Sequence, residues 1–113
     1  MDFLEKPLSQ EEIAALAKKY GNYFKITADI DQGKVVVGCP LHADGEKILL
    51  KRGSRQDSIW GGGLDLFDKG IDCSAILNLR PADSNPSMEI IDSKKREKFI
   101  KTIKNIFKVL WEE

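Results

Sequence analysis

The chain contains one histidine, His42, so any imidazole-based acid–base or metal chemistry must run through that residue. Asp44, two positions on, is its nearest carboxylate in sequence. Residues i and i+2 of a helix point apart, so His42 and Asp44 converge only if the segment is irregular there. A second group of residues carries polar chemistry that a core does not need: Asn78, Arg80, Ser87 and Glu89 on one face of two alternating stretches, with Asn85 in the turn between them. Arg80 offers a planar fork suited to a carboxylate or phosphate. The structural alternative is a diagonal pair of Arg80 with Glu89 across two strands, with Asn85 and Ser87 shaping the turn. Ser54, Gln56 and Gly61 complete the candidate binding residues, with Gln56 and His42 at the rim. Ser54 or Ser87 with His42 and an aspartate would supply a nucleophilic triad by inventory, but no spacing supports one. Gly61-Gly62-Gly63 is not followed by a helix at phosphate-loop or dinucleotide-fingerprint spacing. No Cys/His metal motif is present, and neither a metal nor a cofactor is expected.

The elements that must position these residues follow from length and pattern. At 113 residues and 42% hydrophobic content the chain is expected to form a single domain, 1–113, with a core of its own. Lys plus Arg and Asp plus Glu both number 18, so no general attraction to nucleic acid or anionic membranes follows. The first residues lack a basic stretch leading into an apolar one, and no apolar run approaches the length of a bilayer span, so a cytoplasmic location is expected. Cys39 and Cys73 sit in apolar runs without CxxC spacing and read as buried thiols, with a disulfide between them left open.

Ser9 and Glu12 form a capping-box signature for a helix to about Tyr20, ended by Gly21. Tyr23–Asp31 and Lys34–Cys39 alternate as a hairpin, with Asp31 opposite Lys34, Ile30 opposite Val35 and Ala28 opposite Val37. Pro40 to Gly53 reads as a short helix burying Leu41, Ile48 and Leu49; Gly45 inside it costs roughly 1 kcal/mol relative to Ala. Ser58–Phe67 reads as a glycine-centred strand that turns at Lys69-Gly70. Ser74–Arg80 and Ser87–Ile91 alternate as a second hairpin, with Asn78 opposite Glu89 and Leu79 opposite Met88. A final helix starts at Asp92, with Phe99, Ile100, Ile103, Ile106, Phe107, Leu110 and Trp111 as its apolar stripe.

The resulting expectation is an α+β fold: an antiparallel sheet of about five strands, hairpin plus three-strand meander, with three helices in the order α-β-β-α-β-β-β-α. All three helices would cover one face. The other face, with Asn78, Arg80, Glu89 and the side-chain-free Gly61, is then the candidate binding site or the surface of a homodimer.

Several short stretches together resemble a small prokaryotic family known as a domain of unknown function. They are Leu41-His42-Ala43-Asp44, Gly53-Ser54-x-Gln56 leading to Trp60-Gly61, Asn78-Leu79-Arg80-Pro81 and Asn85-x-Ser87-Met88-Glu89-Ile90. The resemblance spans nearly the whole chain and implies no activity. The family pattern has Ala where this chain has Gly45, and a basic residue where it has Pro86.

Three functions are therefore open. The first is a small cytosolic binding or interaction module for a small molecule or protein, using the Asn78/Arg80/Glu89 face. The second is an enzyme, such as a hydrolase of an anionic substrate, with His42 as acid–base residue. The third is a nucleic-acid binder through Lys94, Lys98, Lys101, Lys104 and Lys108 of the last helix, for which a solvated face is the simpler reading.

Overall fold

The computed structural model describes residues 1–112 and shows an α+β fold with a five-stranded antiparallel sheet and three helices. In chain order the elements are β1 (Asp2–Leu4), α1 (Gln10–Tyr20), β2 (Tyr23–Asp29), β3 (Lys34–Val37), α2 (His42–Lys51), β4 (Ile59–Asp65), β5 (Gly70–Asp72) and α3 (Ser93–Ile106). The sheet order is β1-β3-β2-β4-β5. Among the described residues, no helix is long and apolar enough to cross a membrane.

The three helices start and stop where local chemistry asks them to. Ser9 Oγ accepts the Glu12 amide at 3.1 Å, and the Glu12 carboxylate accepts the Ser9 amide at 3.0 Å, completing the capping box. Gly21, with φ of 85°, ends α1. Asp92 caps α3 through the Lys95 amide at 3.0 Å. That helix stops at Ile106, and the chain finishes in a 3₁₀ turn (Lys108–Trp111) rather than in one continuous helix.

The first hairpin keeps the expected faces in a different register. Asp29, not Asp31, lies opposite Lys34, and Ala28 lies opposite Val35. The Asp29 carboxylate accepts the amides of Asp31 and Gln32, which folds residues 30–33 into the loop and ends β2 two residues early. A shift of two preserves the side of the sheet on which each residue sits. Phe24, Ile26, Ala28, Val35 and Val37 accordingly pack with Leu16 of α1 and Phe99, Ile103 and Ile106 of α3.

The second face is covered too, which corrects the expectation that all helices share one side. Thr27 and Asp29 look toward α2, and Val36, Cys39, Leu49 and Ile59 form a smaller cluster there. Gly45 makes this layer possible: a Cβ added to it would lie 2.5 Å from Thr27 Oγ1 and 2.7 Å from Thr27 Cβ. The residue that weakens α2 as an isolated helix is the one that lets it rest on β2. Leu41, expected in the core, precedes the helix and is 61% exposed. Cys39 belongs to the smaller cluster and Cys73 to the larger one, both as free thiols, so no disulfide joins them.

The fifth strand is β1, at the edge beside β3. From Cys73 to Ile91 no long hairpin forms. The two arms do approach antiparallel, with Ser74 bridged to Glu89 and Arg80 to Asn85. Two 3₁₀ turns, Ile76–Asn78 and Pro81–Asp83, break the alternation between them. Ile76, Leu79 and Met88 are left exposed as a result.

Candidate functional site

The polar residues of the 73–91 segment act first on the backbone around them. β5 pairs only with Gly63–Asp65, leaving the outer edge of β4 from Ile59 to Gly61 without a strand. Asn78, fully buried, fills that place with its carboxamide: Oδ1 accepts the Gly61 amide at 2.8 Å and Nδ2 donates to the Gly61 carbonyl at 2.8 Å. Nδ2 also reaches the carbonyls of Cys73 (3.2 Å) and Met88 (3.0 Å). Arg80 continues along the same edge. Its guanidinium donates to the carbonyls of Leu77 (3.1 Å), Gln56 (2.9 Å) and Ile59, and its charge lies 4.4 Å from the centre of the Trp60 ring. Burial pulls the Arg80 pKa below its usual value.

Asn85 performs the same service for the turn. Its Nδ2 donates to the carbonyls of Asn78, Ser87 and Glu89, and its Oδ1 accepts the Ile91 amide at 3.0 Å. Ser87 Oγ accepts the Glu89 amide at 3.0 Å, and Glu89 faces Arg96 across 3.8 Å at the surface. No diagonal Arg80–Glu89 pair forms. Ser54 is buried and donates to Asp29 at 2.6 Å, while Gln56 offers only its carbonyl, to Arg80. Asn78, Arg80 and Asn85 thus come together, but in a network that closes on itself, and Glu89 stands outside it.

The glycine strand is covered rather than open. A Cβ at Gly61 would meet Ala75 Cβ at 2.8 Å and the His42 ring at 2.9 Å. One at Gly62 would strike the Phe99 ring, and one at Gly63 the Tyr23 ring, whose hydroxyl donates to Asp72 at 2.7 Å. Burial and that carboxylate together raise the Tyr23 pKa well above the ordinary tyrosine range. Of the alternatives that a side-chain-free strand leaves open, close packing is the one realised.

A cleft of about 540 Å³ lies beside this strand, between the start of α2 and the far arm. Leu41, His42 and Ala43 form one wall, Ser74 to Leu77 with Met88 the other, and Lys25 of β2 closes the set. His42 is the one residue among the candidates read from sequence that lines it. Three bonds hold the start of α2 against the sheet: Lys25 Nζ donates to Pro40 O (2.8 Å), Thr27 Oγ1 donates to His42 O (3.2 Å), and His42 Nε2 bonds Gly62 O (2.8 Å). A carbonyl oxygen has no hydrogen to give, so Nε2 carries the proton and Nδ1 the lone pair. Nδ1 has no partner among the described residues and is not buried. Burial lowers the His42 pKa below 6.5, against the opposing pull of the Gly62 carbonyl, and Lys25 adds to the lowering. The ring is held neutral, with one nitrogen fixed and the other available. Asp44 lies two residues further along α2, partly exposed, and makes no hydrogen bond to His42.

Lys25, Ser74, Ala75 and Met88 escape sequence reading because they converge from three separate segments. The one signal was Lys25 itself, a cation on a strand face shared with Thr27 and Asp29, both of which are buried. Among the described residues no group of three or more His, Cys, Asp or Glu side chains is placed to hold a metal. On α3, Lys98 pairs with Asp31 at 3.1 Å, Lys95 lies over Trp60 and Lys104 over Trp111; Lys94 and Lys101 are exposed, as is Lys108 in the 3₁₀ turn that follows.

A single five-stranded sheet covered by helices on both faces, with an internally bonded polar strap and an adjacent cleft, defines an α+β protein. The chain belongs to the family of proteins of unknown function DUF5674, whose pattern matches residues 2–106. No curated protein and no solved structure matches it.

Proposed function

We propose that the protein is a small cytosolic binding module, and that its site is the His42 cleft rather than the Asn78/Arg80 network. The observation that carries this reading is the cleft's composition. About 540 Å³ falls within the range of small-ligand pockets, roughly 300–1,000 Å³. Its rim holds Leu41, Ile76 and Met88, exposed by 61%, 77% and 49%, a grouping of exposed apolar side chains of the kind that marks ligand-binding grooves. Lys25, His42 and Ser74 supply a few polar groups for orientation. Two free buried thiols fit a reducing compartment.

The test uses the neutral apolar dye N-phenyl-1-naphthylamine. Saturable, equimolar fluorescence enhancement is expected, with amide shifts confined to Ala43, Ser74, Ala75 and Met88. Ala43→Trp, an exposed substitution that fills the cleft, should abolish both without lowering the urea midpoint. Dye binding that survives Ala43→Trp would overturn the proposal.

The free Nδ1 of His42 favours one second reading, a hydrolase using it as general base. Hydrolysis of p-nitrophenyl butyrate would then rise through a single pKa below 6.5 and vanish in His42→Gln. A rate indistinguishable between wild type and that variant removes the reading.

A further inference from the structure

Lys25 is a cation that the protein has not neutralised. The four ion pairs among the described residues are Lys19–Asp2, Arg55–Asp57, Arg96–Glu89 and Lys98–Asp31, and none includes it. Its ammonium has three donors, of which the protein engages one, on the Pro40 carbonyl at 2.8 Å. The side chain is half-buried at the cleft, where loss of water makes an unpaired charge more demanding than it would be in solution. Asp72, in register with Lys25 across Gly63, makes no ion pair with it: Oδ2 accepts the Tyr23 hydroxyl at 2.7 Å and Oδ1 accepts the Ser74 amide at 3.2 Å. His42, which lines the same cleft, is neutral and adds no second positive charge. Apolar walls with one positive charge that no ion pair engages define a complementary shape.

We infer that the cleft takes a monoanionic amphiphile, an apolar chain ending in a single carboxylate, with Lys25 as its counter-ion. The inference rests on the cleft being the binding site and adds the charge of its ligand. One ammonium balances one negative charge; a dianionic phosphate calls for the arginine forks that this cleft lacks, because Arg80 is bonded elsewhere. The apolar part lies along Leu41, Ile76 and Met88, and two free Lys25 N–H groups meet the carboxylate oxygens.

Isotope-labelled protein titrated at neutral pH with octanoate, octanol and octylammonium separates the two levels of the argument. Octanoate is expected to bind about fivefold tighter than octanol, and octylammonium more weakly than either, as read from the Ser74 and Ala75 amides. The octanoate preference should shrink in molar salt. It should disappear in Lys25→Met, and equally in Lys25→Gln, which retains a donor for the Pro40 carbonyl if the tether proves necessary for folding. Octanol binding as tightly as octanoate, or a preference that survives both substitutions, would overturn the anionic ligand while leaving the cleft as the site. Failure of all three compounds to shift those amides would overturn the site and the inference together.

Discussion

Along the outer edge of β4 one backbone is completed in two ways. From Gly63 to Asp65 its partner is β5, a strand whose main chain supplies the hydrogen bonds. From Ile59 to Gly61 its partners are side chains, the Asn78 carboxamide and the Arg80 guanidinium. A carboxamide carries the same donor and acceptor as a peptide group, so Asn78 imitates one residue of a strand without requiring its neighbours to be extended. The chain is thereby free to coil into 3₁₀ turns and to place Ser74–Leu77 against His42. A backbone pairing is shared among many residues; a side-chain pairing concentrates the edge on two.

That concentration can be broken directly. Asn78→Leu, close in shape but without hydrogen-bonding groups, strands the Gly61 amide and the Gly61 carbonyl in the interior, while the Cys73 and Met88 carbonyls keep the amides of Ile90 and Ala75. At about 1–3 kcal/mol for a buried unsatisfied group, a loss of roughly 4 kcal/mol in urea unfolding is expected, a large share of the stability of a domain this size. A loss under 1 kcal/mol would mean that the carboxamide is dispensable. Arg80→Lys keeps the charge over Trp60 but reaches fewer of the three carbonyls, and about 2 kcal/mol is expected to be lost in the same assay.

Away from the edge, Gly45→Ala sets two effects against each other. The helix gains about 1 kcal/mol of propensity, while a methyl 2.7 Å from Thr27 Cβ, which cannot rotate aside, costs about 1–3 kcal/mol. A net loss near 1 kcal/mol in the urea midpoint is expected, and a gain would show that α2 slides freely on β2. The smallest effect is a pH dependence. His42 has its folded pKa depressed below 6.5, so between that pKa and 6.5 the unfolded chain binds more protons than the folded one. The stability associated with neutral His42 is present above pH 6.5 and declines as pH falls through that window. The lowered aspartate pKa values, of Asp2, Asp31 and Asp92, act below 3.8 and do not overlap it. Urea midpoints should drop from pH 7.5 to 5.5 in wild type and flatten in His42→Gln.

The same comparison explains what could be read from the chain. The caps at Ser9 and Asp92, the faces of β2 and β3, and the α3 stripe through Phe99, Ile103 and Ile106 are local or periodic signals, and each appears where the spacing put it. Residues 74–91 also alternate, yet the alternation does not become a hairpin. Asn78, Arg80 and Asn85 compete for the backbone with their own side chains, and period-2 patterning says nothing of such competition. Their chemistry was visible, whereas its target was not. His42 is identifiable as a lone imidazole, but Lys25 is brought near it by the β2–β4 pairing and Ser74 and Met88 by the Asn78 network, neither of which leaves a trace in local sequence.

The occupied edge of β4 has one more consequence, for what the protein does when crowded. An edge with free amides and carbonyls is a template on which a second chain can add a strand, and aggregation begins at such places. At Gly61 both groups are already engaged by Asn78, and at Ile59 the carbonyl is engaged by Arg80, so an incoming strand finds no register to copy. The short β5 beyond it exposes only three residues. Residues whose polarity suggests recognition of something else serve here to turn one kind of partner away.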